Sequence, residues 1–277
     1  MLSVNTNSGA MTALQYLDQT NAQLQTTQNA INSGLKVASA KDDGSTFAIA
    51  QNMRGDVAGY SAVTDSLNRG TSVVDVAMSA GQSISDLLIE MKSKAAAASD
   101  ASLDTASRQA LNEDFQSYAS QITSIVQNAT FNGFNLIDGS ATGGISALAS
   151  ADGTHKITVA SENLNLSGGI ITIGATASIS TQTAASAMIS TVETSLTNVD
   201  SALAKLSSGA KKFSIQSTFV SQLSDTLTTG IGNLVDADMA TESATLTSLQ
   251  TKQQLGVQAL SIANQAPSIV LSLFSGH

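Results

Sequence analysis

The sequence predicts a mainly α protein: a long antiparallel coiled-coil helical rod with paired terminal helices and a small β-containing insertion. Three observations carry that prediction. Apolar residues recur at heptad spacing over three long stretches, and a period of 3.5 sustained over many turns marks helices that are covered by other helices. Pro267 is the single proline and tryptophan is absent, so the stretches run without helix breakers. Between Asn132 and about Ala184 the heptads stop and glycine becomes frequent.

The amino end reads as an amphipathic helix. Leu14 and Leu35 share a heptad column with Asn21 and Gln28, and Leu17, Leu24, Ile31 and Ala38 form the other column. Polar residues at such positions cost stability and fix register. Asn32, Ser33 and Gly34 weaken the helix, and an irregular connector follows to Gly44. A second helix starts at Ser45 or Thr46 behind capping residues. Its columns are Met53, Tyr60, Leu67, Val74 and Leu88, with Val63, Ala77, Ile84 and Met91 three residues on. A third helix starts near Leu103, with columns Leu111, Tyr118, Ile125 and Phe115, Ile122, Ala129.

The insertion that follows carries two β-like runs, 156–159 and 170–173, and two hairpin-type turn signals, Asn132-Gly133 and Asp138-Gly139. The pattern places it at one end of the rod. The fourth helix has the longest seam: Val192, Val199, Leu206, Phe213, Val220, Leu227 and Leu234, with Ile189, Leu196, Leu203, Ala210 and Ile231 as companions. The last helix has two apolar faces. Leu246, Leu249, Leu260, Ala263 and Val270 form one, and Leu255, Ile262 and Ile269 point to nearly the opposite side. One partner helix cannot cover both. Ordering a residue costs about 1 to 2 kcal/mol in backbone entropy, so a helix with one narrow seam is marginal alone, and neighbouring subunits are expected to supply the missing burial.

Composition narrows the function. Charged residues are 12% and aromatics 4%, and a surface so poor in charge favours association. The net charge of −9, with no basic stripe, argues against nucleic acid as a partner. Cysteine is absent, which removes disulfides and thiolate chemistry. Residues 1–35 hold Asp18 as their only charge and lack the basic start and apolar core of a secretory signal, so export is expected by another route, without a cleaved signal peptide. The stretch 255–274 is interrupted by polar residues and Pro267, and no membrane insertion is expected.

Four stretches resemble bacterial flagellins, in the order in which that family carries them. SGLKVASAKDD at 33–43, with Phe47-Ala48-Ile49-Ala50 and Met53-Arg54, is similar to the amino-terminal signature. ATFNGFNLIDG at 129–139 resembles the turn that closes the first pair of rod helices. LVDADMATESATL at 234–246 and ANQAPSIVLSLF at 263–274 resemble the carboxyl-terminal signature. The short insertion is similar to that of compact flagellins, particularly alphaproteobacterial ones.

The resemblance implies an extracellular filament subunit for swimming motility, exported largely unfolded by the flagellar type III system. It implies that residues 1–35 and 236–277 form the inner tube (D0), that 36–139 and 184–235 form the helical shell with its connector (D1), and that 140–183 is a surface insertion. Implied partners are further copies, alone or mixed with other flagellins, and an export chaperone, cap and hook-associated proteins. A hook–filament junction protein is the nearest alternative in role. A secreted membrane-active helical protein is a more distant one, since its helices would need a basic polar face. In flagellins sensed by the vertebrate innate receptor, the early rod helix carries an arginine-rich patch followed by a Leu. Here Glu90 and Lys94 stand where an Arg and that Leu would be, which implies weak recognition.

No catalytic constellation emerges, and no enzyme, cofactor or metal is expected. Ser208-Gly209-Ala210-Lys211 has the serine–lysine spacing of penicillin-binding enzymes but sits inside a seam helix without the accompanying motifs. His155 and His277 are isolated. Asp42-Asp43 and Asp236/Asp238 lack calcium-loop spacing and read as helix caps or intersubunit partners.

Overall fold

The computed structural model describes residues 6–274, with side chains described through residue 265. Five helices are present among these: α1 (Ser8–Ser33), α2 (Gly44–Ala98), α3 (Thr105–Asn128), α4 (Gln182–Val235) and α5 (Met239–Phe274). Four short strands, β1 (Thr130–Phe131), β2 (Phe134–Asn135), β3 (Ile145–Leu148) and β4 (Lys156–Val159), form two antiparallel hairpins. The chain divides into two compact units, one of residues 1–55 with 226–277 and one of residues 56–225.

The second unit holds the main core. Leu67, Val74, Ile84, Leu88 and Met91 of α2, Phe115, Ile122 and Val126 of α3, and Val192, Val199, Leu206, Phe213 and Val220 of α4 are all fully buried. Apart from Val126 these belong to the heptad columns, and Tyr60 packs against them half-buried. On α3 the column Leu111, Tyr118 and Ile125 is only half-buried, and the next positions, Asn112, Ala119 and Val126, are the buried ones. Glycines sit where a partner side chain enters the seam. A Cβ on Gly70 would lie 3.0 Å from Cε2 of Phe213, and one on Gly81 would lie 2.8 Å from Cδ2 of Leu203. The turn between α2 and α3 is held by Arg108, whose guanidinium donates to the carbonyls of Ala98 and Asp100 at 2.8 Å each and of Leu103 at 3.2 Å. The Ala98 carbonyl is one that the end of α2 leaves without a helical donor, and the other two belong to the turn that follows. Asp104 caps α3 through the Ser107 N–H, and its carboxyl is held below the usual range mainly by that bond.

The Asn132-Gly133 pair forms the turn between β1 and β2, with both residues at positive φ, as a two-residue hairpin of this hand requires. Asn135 then donates to the Val126 carbonyl at 2.6 Å and accepts the Ile137 N–H at 2.9 Å, which ties the hairpin exit to the end of α3.

Three expectations for the insertion are corrected. Asp138-Gly139 makes a bend with Gly139 at positive φ but joins no paired strands. Residues 170–173 form no strand beyond a single bridge, Leu166 to Ile171; they run against α4 rather than against another strand. The insertion also does not sit at one end. It lies lengthwise along α4: the Ala149 carbonyl accepts from Gln216, Glu162 pairs with Lys205 at 3.1 Å, the Ile170 carbonyl accepts from Asn198, and the Thr172 N–H donates to Ser195. At its far end Asn112 of α3 accepts from the Ile179 N–H at 2.7 Å. Ala147, Val159, Leu164, Ile171, Ile173 and Ile179 are buried in the same core as the helices. The physical reason is the third column of α4, Ser195, Ala202 and Gly209, whose small side chains let the backbone of the insertion approach. A Cβ on Gly209 would meet Val159 Cγ1 at 2.5 Å. That contact also accounts for the glycine of the Ser208–Lys211 stretch by packing.

Candidate assembly surface

In the first unit, α1 and α5 pair antiparallel. Asn7 is both the N-cap of α1, accepting the Ala10 N–H at 3.0 Å, and a donor to the Ala263 carbonyl at 2.7 Å. Further along, the Gln253 amide donates to Asn21 Oδ1 at 2.7 Å, so the polar residue in the heptad column is matched by a polar partner. Leu17 lies against Gly256, where a Cβ would meet Leu17 Cδ1 at 3.3 Å. Beside these contacts the two helices leave an open groove lined by small and polar residues such as Ala22, Thr26, Ala244 and Ser248.

The pair is joined to its neighbours by a short backbone latch. Gly34 ends α1 at φ 72°, a left-handed conformation that glycine adopts without strain. Leu35 then bridges Asp236; the Lys36 N–H donates to the Val235 carbonyl and the Ala237 N–H to the Gly34 carbonyl, both at 2.8 Å. Val37 and Val235 are buried there. The acidic residues are used as caps and loop braces. Asp43 accepts from the N–H groups of Ser45 and Thr46 and from the Thr46 hydroxyl at 2.6 Å, and these bonds, the last foremost, hold its carboxyl at about 2. Asp42 accepts from the N–H groups of Ala38 and Ser39. Asp238 caps α5 through Thr241 and Ala240, which lowers its pKa.

The seam residues divide by exposure. Leu249 is buried, and Leu17, Leu24, Ile31, Leu246 and Leu260 are half-buried. Leu14 is 48%, Leu255 58% and Ile262 70% exposed, and Met11, Tyr16 and Val257 are exposed beside them. The side chains of Ile269 and Val270 lie outside the described residues, as does His277. Leu227 and Leu234, which end the α4 column named from the sequence, are half-buried. In the second unit Glu90 is exposed and Lys94 pairs with Asp114 at 2.7 Å, which raises the Lys94 pKa. His155 is an exposed turn residue in contact with the Thr154 hydroxyl. No group of three potential metal ligands occurs among the described residues, and no helix there is long and apolar enough to cross a membrane.

Sequence reasoning missed two features. One is the buried Ser195, Ala202, Gly209 column. The other is a pair of exposed apolar side chains on α4, Ile215 and Phe219, which fall outside the heptad columns.

The family models for the bacterial flagellin N-terminal helical region and C-terminal helical region match residues 4–142 and 189–274. The chain is 52% identical to flagellin FljM of Caulobacter vibrioides over 272 residues, 98% of each chain. It is 51% identical to flagellin FljK of the same organism with the same coverage. A flagellin of Brucella melitensis is 39% identical over the full length of both chains. Among solved structures, a putative flagellar hook-associated protein from Vibrio parahaemolyticus has the same fold, with a TM-score of 0.56 at 12% identity, over 70% of this chain and all of that one. Two family models in the right order, and relatives of this identity over the whole length, place the chain in one family: it is a bacterial flagellin.

Proposed function

We propose that this flagellin is a structural subunit that polymerises into the flagellar filament for swimming, with no enzymatic role. The observation that carries this is the α1/α5 pair, which covers one face of each helix and leaves Leu14, Leu255 and Ile262 in solvent. Fully covering such a side chain contributes about 1.5–3 kcal/mol, so several per subunit drive association. Asp18 is the single charge in α1, and little electrostatic repulsion opposes that packing. On this reading residues 1–35 and 236–277 build the inner tube, 36–139 and 184–235 the surrounding shell, and 140–183 the outer insertion. Export is as an unfolded chain through the flagellar type III system, aided by a chaperone, with cap and hook-associated proteins at the ends. Similarity to more than one Caulobacter flagellin supports filaments of mixed composition. A hook–filament junction role has less support, since the likeness to a hook-associated protein is one of fold alone.

Electron microscopy of the purified protein at high concentration is the test: regular tubes are expected, and lipid-dependent binding in their place overturns the reading. Leu260→Asp is expected to stop assembly, because an unpaired charge in the helix pair costs several kcal/mol. His155→Ala is expected to leave assembly intact, because that side chain is an exposed loop group. Motility of strains carrying each variant as the only flagellin reads the difference, and swimming with Leu260→Asp refutes the role given to the pair.

The receptor-facing expectation becomes a second test. Glu90 presents a negative charge, and Lys94 is engaged by Asp114, where receptor-sensed flagellins carry an Arg and a Leu. Charge reversal at an interface disfavours binding through repulsion. Monomer is expected to signal weakly or not at all in a reporter assay, and Glu90→Arg with Lys94→Leu to raise the response without unfolding the protein. Full potency of the unmodified chain sinks this expectation and leaves the filament role standing.

A further inference from the structure

Two solvent-facing patches on the second unit have opposite chemistry. On α4, Lys211, Lys212, Ile215 and Phe219 share one face at helical spacing. Ile215 is 71% and Phe219 54% exposed, on the side of the helix away from the buried Phe213 and Val220. The two lysines are exposed and make no ion pair among the described residues. On α2, Asp86, Ile89 and Glu90 share a face, with Ile89 51% exposed and both acids in solvent. The nearby lysines are engaged elsewhere, Lys92 with Glu193 at 3.5 Å and Lys94 with Asp114 at 2.7 Å, so the second patch keeps its negative character.

We infer that these patches are the two halves of one contact between copies, in which the basic apolar face of α4 in one subunit docks on the acidic apolar face of α2 in the next. The inference rests on the polymer reading and names surfaces for it outside the terminal helices. Charge complementarity identifies the occupant. Residues 56–225 contain nearly twice as many acidic as basic residues, so two copies repel over most orientations and attract where an unpaired basic patch meets an acidic one. A single copy cannot satisfy the pair itself. Helices α2 and α4 run antiparallel, with Gly70 beside Phe213 and Ser85 beside Asp200, which puts Ile89 and Phe219 ~35 Å apart at 1.5 Å per residue. Two different patches meeting head to tail also form a heterologous contact, and such contacts propagate as open helical filaments unless the rotation happens to close a ring.

Charge reversal with full-length protein tests the pairing. Seeded polymerisation, followed by light scattering and electron microscopy, is expected to show at least a ~10-fold higher critical concentration for Lys211→Glu/Lys212→Glu and for Asp86→Lys/Glu90→Lys. The two variants mixed in equal amounts are expected to co-assemble near the unmodified concentration, since each then offers the other a complementary face. Thermal unfolding of each variant checks that the fold is kept. A second arm uses the absence of cysteine: Ile89→Cys/Phe219→Cys chains oxidised within filaments are expected to give a ladder of disulfide-linked multimers on non-reducing gels. Filaments of the unmodified chain together with no ladder, or with folded charge variants that assemble normally, overturn the proposal and leave the filament role intact. Failure of the unmodified chain to form filaments defeats the filament role itself.

Discussion

A chain ending at Val235 is expected to keep a cooperative thermal transition and to form no filaments at any concentration at which the full chain assembles. The transition persists because the buried columns of the main core run from Val63 to Val220, and none of them belongs to α5. Assembly is expected to fail because α1 then loses its partner helix α5, along with the Asn7–Ala263 and Asn21–Gln253 contacts that set its register. An isolated helix of 26 residues with half-polar columns has little to hold it in water. Circular dichroism is expected to show a loss of helix larger than α5 alone accounts for, since α1 melts with it. Filaments from the shortened chain would remove the terminal helices from the account of assembly.

Phe213→Ala is the substitution expected to cost most within the core. The ring is fully buried and lies against Gly70, where the facing backbone carries no side chain that could move in to fill the space. Truncating a buried Phe costs about 3–5 kcal/mol, which for a unit of this size lowers the melting temperature on the order of 10 °C. Phe213→Leu is expected to lose much less. Urea unfolding of monomer measures both, and a loss for Phe213→Ala below ~1 kcal/mol would mean that the core relaxes around the deletion, contrary to close packing at Gly70.

The helices were legible because a seven-residue repeat of large apolar side chains has one structural meaning, and Leu67, Phe115, Val199 and Phe213 are buried where that repeat puts them. The Asn132-Gly133 turn was legible because few residue pairs accept positive φ twice in succession. The path of the insertion was not. Its course depends on Ser195, Ala202 and Gly209, which matter by being small, and a hydrophobic pattern registers large side chains. The run Ile170-Ile171-Thr172-Ile173 is strand-like in composition, yet beyond its bridge to Leu166 and the Ser167 N–H on the Ile173 carbonyl it bonds to the α4 side chains Ser195 and Asn198, a choice made by tertiary neighbours. On α5, the two faces were readable from spacing alone. Which of them meets α1 follows from Gln253 and Ala263, whose partners lie over 200 residues away.

The pairing of α1 with α5 makes the first and last parts of the polypeptide depend on each other. A ribosomal product that stops early, or one clipped near its carboxyl end, still carries the main core and folds there, yet it lacks the strand of chain that α1 needs. If the pair is what enters the polymer, as proposed above, such a copy is excluded by its own incompleteness. Closing the structure across more than 200 residues would then make incorporation depend on chain length through helix pairing.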